Sequence, residues 1–191
     1  MKTITKTITA YTFNELSDSA KNHVRYTYFY DNPWEHDNRE TLKAFVDYFP
    51  DIAFDIDQYN NVCLSEKYYN DYTLSLSGAR LHRWISSNLA DCKNQFGRYL
   101  IRDYDHLPLT GYYLDQDILE PLALFYLDPE KYTQTCYTEW QSATLEDVLT
   151  DCVTAFLNAC ERDYEYQQSD EAISENCDAN EYLFTSEGTL I

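Results

Sequence analysis

Charge is divided unevenly along this chain, and that division constrains the fold more than any other feature. Residues Asp115 to Ile191 carry 18 Asp and Glu against two basic residues, Lys131 and Arg162, a net of −16. The first 114 residues carry 15 acids and 12 bases, a net of −3. Like charges crowded on a small fold oppose its compaction, so stability alone gives no reason to place them there. The acidic part therefore reads as a surface for a basic partner, such as a protein site built for nucleic acid.

The 191 residues make one domain or two small ones. A chain of this size buries roughly 70% of its unfolded surface, enough for a core without staples. An apolar share of 44% is ordinary for a globular protein, so the charge does not signal disorder. Nineteen Tyr raise the aromatic share to 16%. Tyr combines bulk with a polar tip, which suits half-buried helix positions and partner surfaces alike.

Six Cys (63, 92, 136, 152, 160 and 177) are an even count, which invites a disulfide reading. The opening residues Met1 to Thr9 argue against it, because they alternate polar and apolar and lack the apolar centre of a signal peptide. The expectation is a reducing bacterial cytoplasm, with Cys152 and Cys160 as small core residues on a helix stripe. No apolar run approaches the length of a membrane span, and no membrane partner is expected.

The patterning predicts an α+β fold, mostly helical, with a small antiparallel sheet. That sheet is expected from an N-terminal strand over Thr3 to Tyr11, the 52–78 region and a C-terminal hairpin. Thr12-Phe13-Asn14-Glu15 fits a capping box opening a helix with Phe13, Leu16, Ala20, Val24 and Tyr28 inward. A second helix is expected over Asn38 to Phe49, stopped by Pro50. Ala53 to Asp57 and Tyr72 to Ser77 alternate as strands, with Asn60-Asn61 as a turn. Helical spacing returns from Ala79 to about Tyr104, with a possible break at Gly97.

His106 to Gly111 reads as a linker and coincides with the charge boundary. It divides a near-neutral mixed part, residues 1–106, from a helical acidic part, residues 112–191, unless the two fold as one compact domain. Helices are expected over Asp117 to Leu127, Pro129 to Trp140, from Thr144 through Cys160, and Asp170 to Asp178. Tyr182 to Thr185 and Thr189 to Ile191, around a Ser186-Glu187-Gly188 turn, would close the chain as strands.

On those helices Asp147 and Asp151, Glu161 and Glu165, and Glu171 and Glu175 stand four apart. Such neighbours lie on one face, roughly 6 Å apart, and like charges there cost a few tenths of a kcal/mol per pair. The spacing is comparable to that of phosphates along a nucleic-acid strand. A face of this kind suits a groove lined with Lys and Arg, with fast, salt-sensitive association. The competing reading is a solvating face, or one docked on the chain's own basic stretch with Arg80, Arg83, Lys93, Arg98 and Arg102. Twelve bases cannot neutralise 33 acids, so internal docking accounts for only part of the charge.

Catalytic patterns are sparse. The histidines 23, 36, 82 and 106 form no His-x-x-x-His pair, and His82 reads as a polar-face residue. Asp55 with Asp57, and Asp115 with Asp117 and Glu120, are carboxylate groups of the kind Mg²⁺ or Ca²⁺ accepts, but no loop glycine supports a calcium site. After Pro50-Asp51, Glu66-Lys67 lacks the intervening residue of a nuclease (Asp/Glu)-x-Lys motif. Four glycines supply no phosphate-cradling loop, and no Gly-x-Ser-x-Gly elbow occurs. The expectation is a binding protein, not an enzyme, with no catalytic residues, cofactor or metal. The net charge disfavours direct contact with nucleic acid.

The segment Tyr11-Thr12-Phe13-Asn14-Glu15-Leu16-Ser17-Asp18-Ser19-Ala20-Lys21 resembles the opening of a group of small proteins from phages, prophages and other mobile elements. The ending, Ser169 to Glu175 and Ala179-Asn180-Glu181-Tyr182-Leu183-Phe184-Thr185 through Gly188, is similar to the tail of that group, some of whose members carry an antitoxin-like label. The match covers the two ends, and its motifs are structural. A phage origin implies an acidic decoy that blocks host machinery acting on DNA, such as a CRISPR effector or a restriction enzyme. The expected partner is a host nucleic-acid-binding complex with a basic groove. The expected phosphate surrogates are Glu146, Asp147, Asp151, Glu161, Asp163, Glu165, Asp170, Glu171, Glu175 and Asp178, with Tyr164 and Tyr166 adding contact area. An antitoxin capping a basic toxin, and a metal-dependent enzyme on the carboxylate groups, stay open as alternatives.

Overall fold

Helices carry most of the ordered chain, because the apolar positions that recur at helical spacing close into two separate cores. The computed structural model describes residues 7–29, 36–68, 72–89, 109–112, 114–136 and 142–191. Its helices are α1 (Asp18–Val24), α2 (His36–Asp47), α3 (Gly78–Asn88), α4 (Asp115–Leu127), α5 (Pro129–Cys136), α6 (Leu145–Gln167) and α7 (Asp170–Ala179). Strands β1 (Ile52–Ile56) and β2 (Val62–Glu66) form a two-stranded antiparallel sheet, with Phe54 opposite Leu64. The fold is α+β and mostly helical. No helix among the described residues is long and apolar enough to cross a membrane.

Two compact units divide the chain. The larger, Trp34–Cys160, holds α2 to α5, the sheet and the first part of α6. The smaller joins Met1–Pro33 to Glu161–Ile191. The charge boundary expected at 106–112 therefore lies inside the larger unit: contacts bring the chain ends together, which a charge profile cannot report.

The core of the larger unit is built from α2, α3, α4 and α6. Phe45, Leu81, Ile85, Ile118, Leu119, Phe125, Val148, Leu149 and Phe156 are fully enclosed there. Cys152 and Cys160 lie in the same core. Burial pushes the Cys152 thiol well above the ordinary thiol range, so it acts as a small hydrophobe. The β1–β2 connection turns on Asp57. Its carboxylate accepts from Tyr59 N at 2.7 Å and from Asn61 N and Nδ2 at 3.0 and 2.8 Å. Asn60 takes the left-handed φ of 62° that the turn needs.

Tyr72 to Ser77 is not a strand. Ser75 N bonds Tyr72 O at 3.2 Å and Leu76 N bonds Thr73 O at 3.0 Å, so the alternating residues fold into turns. The backbone of Leu74 and Leu76 accepts instead from Glu146 N and Leu145 N at the start of α6. Thr144 opens α6 as expected: its N and Oγ1 donate to Asp147 Oδ2 at 2.8 and 2.7 Å, and Asp147 N donates back to Thr144 Oγ1.

In the smaller unit the capping box closes a single 3₁₀ turn, Phe13–Glu15, not the helix. Glu15 Oε2 accepts from Thr12 N at 2.8 Å and Thr12 Oγ1 at 3.0 Å. Leu16 is extended, and α1 begins after a second cap, Ser17, whose Oγ accepts from Ala20 N at 3.3 Å. The expected sheet is also narrower. Tyr11 exchanges both backbone bonds with Phe184 at 2.9 Å, and Phe184 faces Leu190, but these are isolated bridges within the smaller unit. Thr7 to Ala10 carry no ladder, and 1–6 lie outside the described residues. The closing turn depends on Gly188, at φ 86°, where a Cβ would stand 2.6 Å from the Ala20 carbonyl oxygen. Phe13, Leu16, Ala20, Val24, Ile173, Cys177 and Phe184 form this unit's core. The helix expected over 90–104, with Gly97, and the linker at 106–108 lie outside the described residues.

Candidate acidic interaction surface

The carboxylates expected to face a partner divide by what they bond. In the larger unit Glu146 is exposed, whereas Asp147 and Asp151 are half-buried. Asp147 is the capping acid of α6. Asp151 Oδ2 accepts from Tyr132 Oη at 2.5 Å, which ties α6 to α5. In the smaller unit Asp163 accepts from Gln167 Nε2 at 2.7 Å. Asp170 pairs with Lys21 Nζ at 3.1 Å and with the Arg25 guanidinium. Arg25 also donates from Nε to Gln168 O at 2.9 Å, so it clasps the junction of α6 and α7. Asn14 Nδ2 donates to Ser174 Oγ at 2.6 Å on α7. Four of the ten, all Asp, thus act in the fold's own bonding, and Glu175 bonds the Tyr166 hydroxyl.

Glu161, Glu165, Glu171, Glu175 and Asp178 are exposed. Glu161 and Glu165 are one turn apart near the end of α6. Glu171, Glu175 and Asp178 follow each other along one face of α7, at i, i+4 and i+7. Tyr166 near the end of α6 lies beside Glu171 and Glu175 of α7. It is 52% exposed, and its phenol is pushed above the ordinary tyrosine range. The charge of Glu175 is the largest cause, followed by burial, the charge of Glu171 and a hydrogen bond to Glu175. The end of α6 and α7 thus each present exposed carboxylates, and the Tyr166 ring lies against those of α7.

The possible metal groups offer less. Among the described residues no cluster of three His, Cys, Asp or Glu is close enough to hold an ion. Asp115 is fully buried. Its carboxylate accepts from Thr110 N and Gly111 N at 2.8 Å, Thr110 Oγ1 at 2.7 Å and Thr41 Oγ1 at 3.2 Å. Three of those bonds hold residues 110 and 111 to the start of α4, and the fourth, from Thr41, ties it to α2. His82 stacks on Tyr126 at 4.7 Å between ring centres, with Nε2 at 3.1 Å from the Tyr126 carbonyl oxygen. Glu66 Oε1 accepts from Leu74 N at 2.7 Å, and the Lys67 ammonium bonds Pro50 O at 2.7 Å.

The sequence reading did not find the Lys21 and Arg25 clasp. Its signal was available: the two bases stand four apart, on one face of the N-terminal helix, in a chain poor in bases. No protein-family model, no curated protein and no solved structure matches this chain.

Proposed function

We propose that this chain is a phage-encoded inhibitor of a host DNA-targeting defence complex, docking as an acidic stand-in for DNA in a basic nucleic-acid channel. The observation that carries the reading is the exposed acidic set Glu161, Glu165, Glu171, Glu175 and Asp178 in the smaller unit, with Tyr166 beside Glu171 and Glu175. Its neighbouring charges raise the Tyr166 phenol, which is the local cost of crowding them. A channel lined with Lys and Arg turns that repulsion into attraction, and the gain is steeply salt-dependent. Within the same unit, Asp170 fastens the start of α7 through Lys21 and Arg25. The resemblance of the chain ends to phage proteins supports the same origin.

The test is capture of partners from host lysate by the tagged protein at low and high salt, followed by DNA binding and cleavage assays on the recovered complex. The expected result is a nucleic-acid-processing complex that leaves at high salt and whose DNA binding the protein blocks. Replacing Glu161, Glu165, Glu171 and Glu175 by Lys should abolish capture while the far-UV circular dichroism and melting curve persist. Recovery of one small basic protein instead would move the assignment to an antitoxin. Capture unchanged by the four substitutions would refute the acidic surface.

A further inference from the structure

Within the larger unit, α4, α5 and α6 enclose a groove of about 670 Å³. Each long wall is one helix face: Glu120, Leu124 and Leu127 on α4, and Asp151, Ala155 and Asn158 on α6, both at i, i+4 and i+7. Tyr132 of α5 lines the groove as well, its hydroxyl bonded to Asp151 at 2.5 Å. Leu124 and Leu127 are 39% and 47% exposed, on a helix whose other leucines are enclosed. The α6 wall is built of small side chains, which permits close approach of another backbone. The rim is acidic: Glu120, Asp128 and Asp151 against Lys131.

We propose that this groove receives an amphipathic helix of a partner protein, with an apolar ridge at i, i+3/i+4 and i+7 flanked by Lys or Arg. The groove is half-open, so an occupant keeps one side in water, as an amphipathic helix requires. A small apolar ligand would need fuller enclosure. An anionic membrane surface would be repelled by the three carboxylates. The ridge would cover Leu124, Leu127 and Ala155, and the flanking cations would meet the exposed Glu120 and Asp128. This inference rests on the reading of a basic partner and names the element it presents. It uses residues separate from the α6–α7 acidic surface.

The probe is a synthetic helical peptide of Leu and Lys with that spacing, labelled for fluorescence anisotropy at physiological salt, beside a control with Glu in place of every Lys. The Leu-Lys peptide should bind and the Leu-Glu peptide should not. Ala155→Trp fills the floor without changing charge, and Leu124→Ser with Leu127→Ser removes the apolar rim; each should weaken binding about tenfold or more. The exposed double variant keeps the test valid if Ala155→Trp fails to fold, as judged by circular dichroism. Glu171→Gln with Glu175→Gln, outside the groove, should change affinity less than about threefold. Equal binding of both peptides, no binding, or binding indifferent to the groove substitutions would overturn the groove. If lysate capture stays salt-sensitive in that case, the basic-partner reading survives without it. If the peptide responds as expected but the four Lys substitutions leave capture intact, the acidic surface fails instead.

Discussion

Replacing Asp170 by Asn separates the carboxylates that hold the fold from those available to a partner. The substitution keeps shape and removes charge. Asp170 is 49% exposed, whereas Lys21 and Arg25 are 18% and 21% exposed, so the pairs are screened on the acid's side and sheltered on the bases'. Half-exposed ion pairs sit near the upper end of the surface range, about 1 kcal/mol each. Asp170 is also the first residue of α7, where a negative charge adds a few tenths of a kcal/mol against the helix dipole. Arg25 keeps its bonds to Gln168 O and Asn22 Oδ1, so it is not left stranded. The expected loss is about 2 kcal/mol, which speeds hydrogen exchange of α7 amides such as Ile173 and Cys177 by roughly 30-fold. The loss should shrink in concentrated salt. Glu171→Gln, one residue on, should leave exchange near the wild-type rate, because relief of the like charge of Glu175 offsets the loss of a first-turn acid. Wild-type exchange rates in Asp170→Asn, or equal opening in Glu171→Gln, would refute the division of the acids into two kinds.

Asp115→Ala removes the acceptor of four donors, of which only the Thr41 hydroxyl is buried, and should cost about 2 kcal/mol, read as a melting temperature lowered by roughly 4–8 °C. Gly188→Ala combines a left-handed φ with a clash at the Ala20 carbonyl; it should cost about 2–4 kcal/mol and expose the Tyr11 and Phe184 amides to exchange. Glu175→Gln should lower the pH at which the Tyr166 phenol ionises, followed by ultraviolet absorbance, because the nearby negative charge that disfavours the phenolate is gone. Glu15 is held below the ordinary glutamate value of 4.5 by the Thr12 amide and hydroxyl. A lowered folded value means the contribution is present above 4.5 and lost as pH falls through the folded value. Protection of the Thr12 amide should therefore exceed that in Glu15→Gln above pH 4.5 and fall towards the variant's level as the pH drops through the folded value.

Helices defined by long apolar stripes were legible in the sequence, because burial of one face dominates their stability. The α6 stripe through Leu145, Val148, Leu149, Cys152 and Phe156 is the plainest, and its Thr144 and Asp147 start behaves as read. Short elements were not legible. Thr12 to Glu15 satisfies the capping pattern whether a helix or a single turn follows, and the second cap at Ser17 decides for the turn. Tyr72 to Ser77 alternates like a strand, yet among the described residues only Ser77 is paired, in an isolated bridge to Thr144, and α6 claims the Leu74 and Leu76 carbonyls. The pairing of Tyr11 with Phe184 was read in kind but not in extent, since one bridge needs far less pattern than a sheet.

For the acidic surface, spacing along a helix gave the neighbours but not their duties. Glu161 with Glu165 and Glu171 with Glu175 are exposed pairs, as i, i+4 spacing implies when the opposite face is apolar. Asp147 and Asp151 share that spacing, yet a cap and a tyrosine hydroxyl from another helix take them. The difference lies in reach. Aspartate's short side chain bonds close to its own backbone and to neighbours packed against it, so it is drawn into caps and junctions. Glutamate's longer chain carries its charge beyond the helix into water. Three of the four half-buried or clasped acids sit at a cap, a junction or a helix start, and all four are Asp; the exposed acids around Tyr166 are Glu, with Asp178 beside them. A surface that presents charge outward would favour this division, with long acids reaching into water and short acids fastening helices.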